Sequence, residues 1–237
     1  MIRLSRLSVL LAAAGLLAGC ITTRVPVAGE FPAPVMRPLP YAVGVHYPQA
    51  LEEYRHEEKV ASGRTWIINL GEIHVAMFDR LLGGIFARLV RVDELPTGTP
   101  RDQRLDGIIE PLIEDFQFST PSQTQSKFYE VWIRYRLSLY APTGTLVTSW
   151  PLSAYGKSRS QFAQASDSIN DATIVAMRDA AASLAVKFKT EPEVAEWFTS
   201  QQETGTTVDY TEAQDEVDAG KETRLQQAGG DGRPGAY

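Results

Sequence analysis

The stretch that decides the fold runs from residue 129 to residue 140 and reads Tyr-Glu-Val-Trp-Ile-Arg-Tyr-Arg-Leu-Ser-Leu-Tyr. Apolar and polar residues alternate along it, and a period of two is typical of a strand with one buried face. The predicted buried face holds every second residue from Val131 to Leu139. The predicted polar face consists of Glu130, Trp132, Arg134, Arg136 and Ser138.

A second alternating stretch follows at once. Residues 141–145 read Ala-Pro-Thr-Gly-Thr, which is turn chemistry, and alternation then resumes from Leu146 to Ala154. Two alternating runs joined by a short turn predict a long antiparallel hairpin.

Further strands are predicted on either side of the chain midpoint. Tyr41, Val43, Val45 and Tyr47 alternate before Pro48, which ends that strand. We expect a short strand at Thr65–Asn69, an extended segment at Val90–Leu95, and a strand from Gly107 to Phe118.

Two main helices are predicted. Gly83-Gly84 should weaken the first or allow close packing there. Its apolar residues fall on one helical face: Leu70, Ile73, Met77, Leu81, Ile85 and Leu89.

The second main helix is predicted to begin at Ser168, with Asp171 three residues on, and to end near Lys189. Its alanine-rich stripe indicates tight packing against a sheet. A last short helix should hold Val194, Trp197 and Phe198.

These elements predict an α+β fold. We expect an antiparallel or mixed sheet of four to five strands, centred on the hairpin, with two main helices packed on one face.

The N-terminal residues predict a secretory leader. Arg3 and Arg6 precede the apolar stretch Val9–Ala18, and Leu17-Ala18-Gly19-Cys20 closes it. This ending resembles the bacterial lipobox. The resemblance implies that residues 1–19 are removed, and that Cys20, the chain's only cysteine, carries two or three acyl chains, palmitate among them. Ile21 stands where an aspartate marks inner-membrane retention, so we expect an outer-membrane anchor that faces the periplasm.

The remaining composition predicts three regions. Residues 20–40 contain five prolines and are expected to form a semi-rigid tether. Residues 41–199 form the predicted α+β domain. Residues 200–237 are acidic and glycine-rich, and we expect them to be disordered.

The acidic net charge gives no electrostatic attraction to two classes of partner. Removal of residues 1–19 would change the formal net charge from −6 to −8, because Arg3 and Arg6 are lost and no acid is lost. Such a chain is a poor candidate for binding nucleic acid. Its net charge also gives no overall attraction to an anionic membrane.

The sequence contains no pattern that predicts catalysis, a metal or a cofactor. Of the histidines, His46 and His74 are expected to be structural or surface residues, and Glu53-x-x-His56 to lie on a solvated face. Glu110 and Glu114 on one strand would lie about 13 Å apart, too far for a glycosidase acid pair. We therefore expect no enzyme activity.

One predicted surface merits a binding hypothesis. Trp132, Arg134, Arg136 and Tyr140 share the polar side of the hairpin, and aromatic and arginine side chains are enriched at protein interfaces. The alternative is ordinary cross-strand pairing of these side chains. Residues 155–160, Tyr-Gly-Lys-Ser-Arg-Ser, form a second basic patch or a plain loop.

The layout is similar to that of lipoproteins that assist envelope machines, including those of lipopolysaccharide assembly, curli secretion and polysaccharide export. The segments Tyr129–Tyr135 and Ala176–Ala180 resemble a proteobacterial lipoprotein family of unassigned activity. The resemblance implies a non-enzymatic accessory protein that docks on an envelope complex.

Two alternatives stay open. The first is a carrier of a lipid or other apolar ligand, with a cavity lined by Ile109, Leu137 and Leu184. The second is an unrecognised hydrolase, with a cleft that holds convergent polar groups.

Overall fold

The computed structural model describes residues 22–98, 105–159, 164–188 and 190–203. The predicted leader and Cys20 lie outside this part of the chain, as does most of the predicted acidic tail. The elements in chain order are β1 (Thr22–Pro26), β2 (Leu39–Val45), α1 (Gln49–Glu52), β3 (Arg55–Lys59), β4 (Thr65–Asn69), α2 (Gly71–Ile85), β5 (Phe86–Arg91), β6 (Gly107–Ser119), α3 (Pro121–Thr124), β7 (Phe128–Tyr140), β8 (Leu146–Arg159), α4 (Ala165–Lys187) and α5 (Pro192–Glu203).

The main sheet confirms the predicted α+β class. Its five strands lie in the order β5-β2-β6-β7-β8. Strand β2 is parallel to both β5 and β6, whereas β6, β7 and β8 are antiparallel. The predicted hairpin is β7–β8, and its pairs run from Phe128 opposite Arg159 to Tyr140 opposite Leu146.

The alternation of β7 separates the two faces of this sheet. The residues of the inner face, Val131, Ile133, Tyr135, Leu137 and Leu139, are at most 1% exposed. Helices α2 and α4 pack on this face. The backbone of α4 comes so close to β8 that a Cβ on Gly156 would lie 2.1 Å from the carbonyl oxygen of Ala172.

A second sheet of three strands, in the order β1-β4-β3, was not predicted. Strand β1 is parallel to β4, with Thr22 opposite Thr65, and β3 is antiparallel to β4. The sequence Arg-His-Glu-Glu-Lys of β3 has almost no apolar residues, so no apolar alternation marks it as a strand.

The structure differs from the predicted tether over residues 20–40. Strand β1 begins at Thr22, and Val25 is 1% exposed. The backbone N–H of Ala28 donates to Asn170 Oδ1 at 2.8 Å, and Arg178 donates to the carbonyl oxygen of Glu30. Residues 22–30 are therefore packed rather than extended away from residues 41–199, because they contact β4 and α4.

Two helix boundaries also differ from the predictions. Helix α2 ends at Ile85, and Leu89 lies in β5 because residues 86–91 pair with β2. Helix α4 begins at Ala165, so Ser168 is a buried residue inside the helix rather than its cap. Helix α5 contains Val194, Trp197 and Phe198 as predicted, and extends into the predicted tail as far as Glu203.

The predicted close approach at Gly83-Gly84 is confirmed at its second residue. A Cβ on Gly84 would lie 2.5 Å from Pro34 Cδ, whereas one on Gly83 would meet only Leu89, at 4.0 Å. Within the described residues, no helix combines the length and the apolar character that a membrane span requires.

Candidate functional site: the outer face of the main sheet

The four predicted interface residues lie together on the outer face of β7, opposite the helices. The side chains of Arg134 and Arg136 are 55% and 56% exposed, and Trp132 is 42% exposed. Tyr140 is half-buried, because it packs against a small apolar cluster around Ile108. The outer face is therefore open along the middle of β7 and closed at the Tyr140 end.

Both arginines pair with acids of the neighbouring strand β6. Arg136 donates to Glu114, and Arg134 lies 3.4 Å from Glu114 and 3.8 Å from Asp115. Consecutive residues of a regular strand point to opposite faces, but a bulge between Ile113 and Asp115 interrupts this register. Glu114 and Asp115 can thus both reach the arginines.

These ion pairs are exposed and contribute little to stability, about 0.2–1 kcal/mol each. The alternative interpretation, in which the arginines form ordinary cross-strand pairs, therefore describes their contacts correctly. Pairing leaves them accessible, because more than half of each arginine side chain remains exposed. A paired but exposed arginine remains available to an incoming partner.

An aromatic pair lies beside the arginines. The rings of Trp132 on β7 and Tyr155 on β8 have centroids 5.2 Å apart, and Tyr155 is 37% exposed. The Tyr155 hydroxyl donates to Glu130 at 2.7 Å, and this hydrogen bond raises the pKa of the phenol. The hydrogen bond fixes the ring in an exposed position, which lowers the entropy lost when a partner covers it.

A polar cluster occupies the other end of the outer face. His46 Nδ1 lies 2.7 Å from one carboxylate oxygen of Glu110, and the Tyr140 hydroxyl donates to the other at 3.2 Å. Burial, and then the Glu110 charge, raise the pKa of Tyr140. Glu110 thus has two partners, His46 and Tyr140, whereas Glu114 pairs with the arginines.

His74, predicted to be structural or at the surface, is a core residue. Its Nδ1–H donates to the carbonyl oxygen of Leu70 at 2.7 Å, so its Nε2 accepts from the Tyr135 hydroxyl at 2.8 Å. Burial lowers the pKa of His74 to about 4. The imidazole is therefore neutral at pH 7, and it satisfies the buried hydroxyl of Tyr135 on the inner face of β7.

The residues that the carrier hypothesis predicted to line a cavity are packed in the core instead. Ile109, Leu137 and Leu184 are at most 1% exposed and belong to the packed core, so they line no accessible space. An apolar groove of about 350 Å³ lies elsewhere, between residues 31–36 and helices α2 and α4.

The sequence predicted no metal site at Glu53-x-x-His56. His56 lies on strand β3, and its Nε2 is 3.2 Å from a carboxylate oxygen of Glu58. Among the residues that the structure describes, no three His, Cys, Asp or Glu side chains are grouped as metal ligands.

The alternation of β7 indicated that Glu130 shares this face, but the sequence did not indicate which residues of other segments join it. These are Glu114, Asp115, His46 and Tyr155. A signal was present for the acids, because the two consecutive polar residues between Ile113 and Phe116 break the alternation expected of a regular strand, as a bulge does.

Comparison with known proteins gives similarity of fold at low identity. No family model and no curated protein sequence matches the chain. A protein of the DUF330 family from Xanthomonas campestris is 12% identical with a TM-score of 0.43, over 77% of this chain and 99% of that one. A minor lipoprotein from Acinetobacter baumannii is 8% identical with a TM-score of 0.35, over 66% and 96%. A protein from Caulobacter crescentus, described as a candidate lipoprotein, is 14% identical with a TM-score of 0.34, over 54% and 83%.

Proposed function

We propose that the protein is a non-enzymatic, lipid-anchored accessory protein of the bacterial envelope, and that it docks on a protein complex through the outer face of its main sheet. The observation that carries the docking role is the open surface of Trp132, Arg134, Arg136 and Tyr155. It combines two exposed aromatic rings with two exposed arginines.

The chemistry of this surface suits a protein partner. Tryptophan, tyrosine and arginine dominate the energetic hot spots of protein interfaces. Each of these side chains is positioned by a neighbour on the same sheet, so the surface is largely preorganised. Glu114, Asp115 and Glu130 alternate with the bases, so the partner should present both charges rather than an extended acidic surface.

The proposed location in the envelope rests on the sequence. The Leu17-Ala18-Gly19-Cys20 ending supports acylation of Cys20, and several acyl chains hold a protein stably at a bilayer. With Ile21 after the cysteine, the protein would reside in the outer membrane and face the periplasm. Metabolic labelling with a palmitate analogue should mark the wild-type chain and leave Cys20→Ser unmarked.

Affinity purification from gently solubilised membranes tests the docking role. The wild-type chain should retain a defined partner, and the double variant Trp132→Ala/Arg136→Glu should lose most of it. Val175→Ser/Val186→Ser, on the exposed side of α4, serves as the matched control and should retain the partner. Equal recovery with both double variants would contradict docking through the outer face.

A further inference from the structure

The proposed lipid anchor would lie very close to the folded domain. Only Ile21 separates Cys20 from Thr22, the first residue of β1. Two residues of extended chain span at most about 7 Å, so acyl chains on Cys20 would hold the Thr22 end of β1 against the bilayer surface. The domain surface around that end is then set by strand register.

Strand register brings exposed basic residues to this end. Thr22 pairs with Thr65, and Thr65 pairs with Lys59. Arg64 precedes Thr65, and its guanidinium packs over Trp66. The centroid of the Trp66 ring lies 5.6 Å from that of Phe118, which pairs with Val131 near the beginning of β7. Burial raises the pKa of Tyr129 and the Arg64 charge lowers it, which agrees with this placement. The β3–β4 turn and the beginning of β7 thus lie side by side next to the start of β1.

The ends of the hairpin strands add further bases. Phe128 begins β7 opposite Arg159 at the end of β8, and Lys127 precedes it. Lys157 Nζ lies 5.2 Å and Arg159 Cζ 5.9 Å from the Phe128 ring centroid. The basic residues at this end, here called the basic end, are Arg24, Lys59, Arg64, Lys127, Lys157 and Arg159.

The acids nearby are fewer, and most have partners of their own. Glu57 lies 3.8 Å from Arg55, and Glu58 lies 3.2 Å from His56. Glu130 accepts hydrogen bonds from Tyr155 and Ser119, while Asp167 lies in the first turn of α4. Within the described ranges, no carboxylate lies at salt-bridge distance from any residue of the basic end.

We infer that the basic end is a membrane-facing surface that binds the anionic phosphates of phospholipid headgroups and so orients the domain on the bilayer. The inference rests on the proposed acylation of Cys20 for its geometry. Charge complementarity supplies the attraction, since Lys and Arg beside an anionic bilayer each contribute about 1 kcal/mol. Phe128 lies among these cations and would add an apolar contact at the headgroup boundary. An acidic chain can bind in this way because its charge is unevenly distributed.

The orientation has a consequence for the docking surface. Trp132 and Tyr155 form a cross-strand pair on the same outer face as Phe128 and Lys157. This pair lies two residues along the strands from Lys157 and four residues from Phe128, in the direction away from the bilayer. The outer face would then stand upright beside the membrane. The hairpin turn at residues 141–145 would lie at the end most distant from the lipid.

A binding assay tests the charge component without the anchor. The mature chain, residues 20–237 with Cys20→Ser, should partition into vesicles of 70% phosphatidylcholine and 30% phosphatidylglycerol, and not into phosphatidylcholine alone. The triple variant Lys127→Gln/Lys157→Gln/Arg159→Gln should weaken this partitioning at least tenfold. Each base contributes about 1 kcal/mol, and the losses from the three bases add. Arg37→Gln/Arg80→Gln/Lys187→Gln makes the same change in charge at exposed residues outside the basic end, and should have little effect. Equal losses in the two triple variants would overturn the inference, and thermal unfolding checks that both are folded.

A second measurement tests the orientation in the anchored protein. A thiol-reactive fluorophore on Ser62→Cys, in the β3–β4 turn, should be shielded from an aqueous quencher in the anionic vesicles. The same label on Thr145→Cys, in the hairpin turn, should remain quenched. Equal quenching at the two positions would overturn the orientation. If the acylated chain failed to sediment with phosphatidylcholine vesicles, the proposed lipid anchor would be contradicted. The partitioning of the Cys20→Ser chain would still test the basic end independently.

Discussion

The two faces of strand β7 differ in burial, although their residues alternate along one stretch of sequence. On the inner face Val131, Ile133, Tyr135 and Leu137 are at most 1% exposed, whereas on the outer face Trp132, Arg134 and Arg136 are 42% to 56% exposed. Adjacent residues therefore differ in what they contribute. The inner face stabilises the fold, and the outer face is available for contacts with other molecules.

Truncation of adjacent residues on the two faces should give the largest difference. Leu137→Ala should destabilise the domain by about 2–5 kcal/mol, because it removes a fully buried side chain and leaves a cavity. Arg136→Ala should cost less than about 1 kcal/mol, because its ion pair with Glu114 is exposed. Urea unfolding followed by circular dichroism measures both. Similar losses would contradict the assignment of the faces.

A change in pH should reveal the buried imidazole of the inner face. His74 has a pKa of about 4 in the folded state and an ordinary value of 6.5, so the unfolded chain binds more protons between these values. The stability that the neutral imidazole contributes is complete above pH 6.5 and is lost as the pH falls to 4. The difference corresponds to about 3 kcal/mol.

The matched variant for this prediction is His74→Gln, which does not titrate. Unfolding free energies measured from pH 7 to pH 4 should fall more steeply for the wild-type chain than for this variant. Parallel curves would show that His74 does not titrate as its burial predicts.

The contact between α4 and the sheet should tolerate no added side chain. A Cβ on Gly156 would lie 2.1 Å from the Ala172 oxygen and 2.3 Å from the Ala176 nitrogen, both backbone atoms. Gly156→Ala should therefore cost about 1–3 kcal/mol through overpacking. A thermal shift near zero would mean that α4 is less close to β8 than the structure shows.

Two neighbouring glycines test the packing of residues 31–36 on α2 with a smaller effect. Gly83→Ala adds a methyl group in open space, and should stabilise the helix by up to about 1 kcal/mol. Gly84→Ala places the same group 2.5 Å from Pro34 and should destabilise the domain. If both variants were stabilising, residues 31–36 would be a free tether, as the sequence suggested.

The contrast between the faces also explains what the sequence could predict. Alternation in residues 129–154 predicted the hairpin and both of its faces, because a period of two is a local property. Strand β1 was missed because its partner β4 lies far along the chain, with Thr22 opposite Thr65. Strand β3 forms a local hairpin with β4, but it was missed because its own residues are polar. Thr-Thr-Arg-Val-Pro and Arg-His-Glu-Glu-Lys carry no apolar alternation of their own.

The same reasoning applies to the site. Trp132, Arg134, Arg136 and Tyr140 were placed on one face correctly, since they lie on one strand. Their partners on β2, β6 and β8 depend on strand order and on the bulge before Asp115. The closeness of Lys59 and Arg64 to Lys127 and Arg159 depends on the second sheet, which the sequence did not reveal.

Photo-crosslinking in living cells tests the docking role of the outer face most directly. A photoreactive residue at Trp132 should crosslink to one dominant envelope protein, and Arg136→Glu in the same chain should reduce that product. The same residue at Val175, which is 43% exposed on α4 compared with 42% for Trp132, should yield no such product. A Trp132 product that is absent, or equal to that from Val175, would contradict the account.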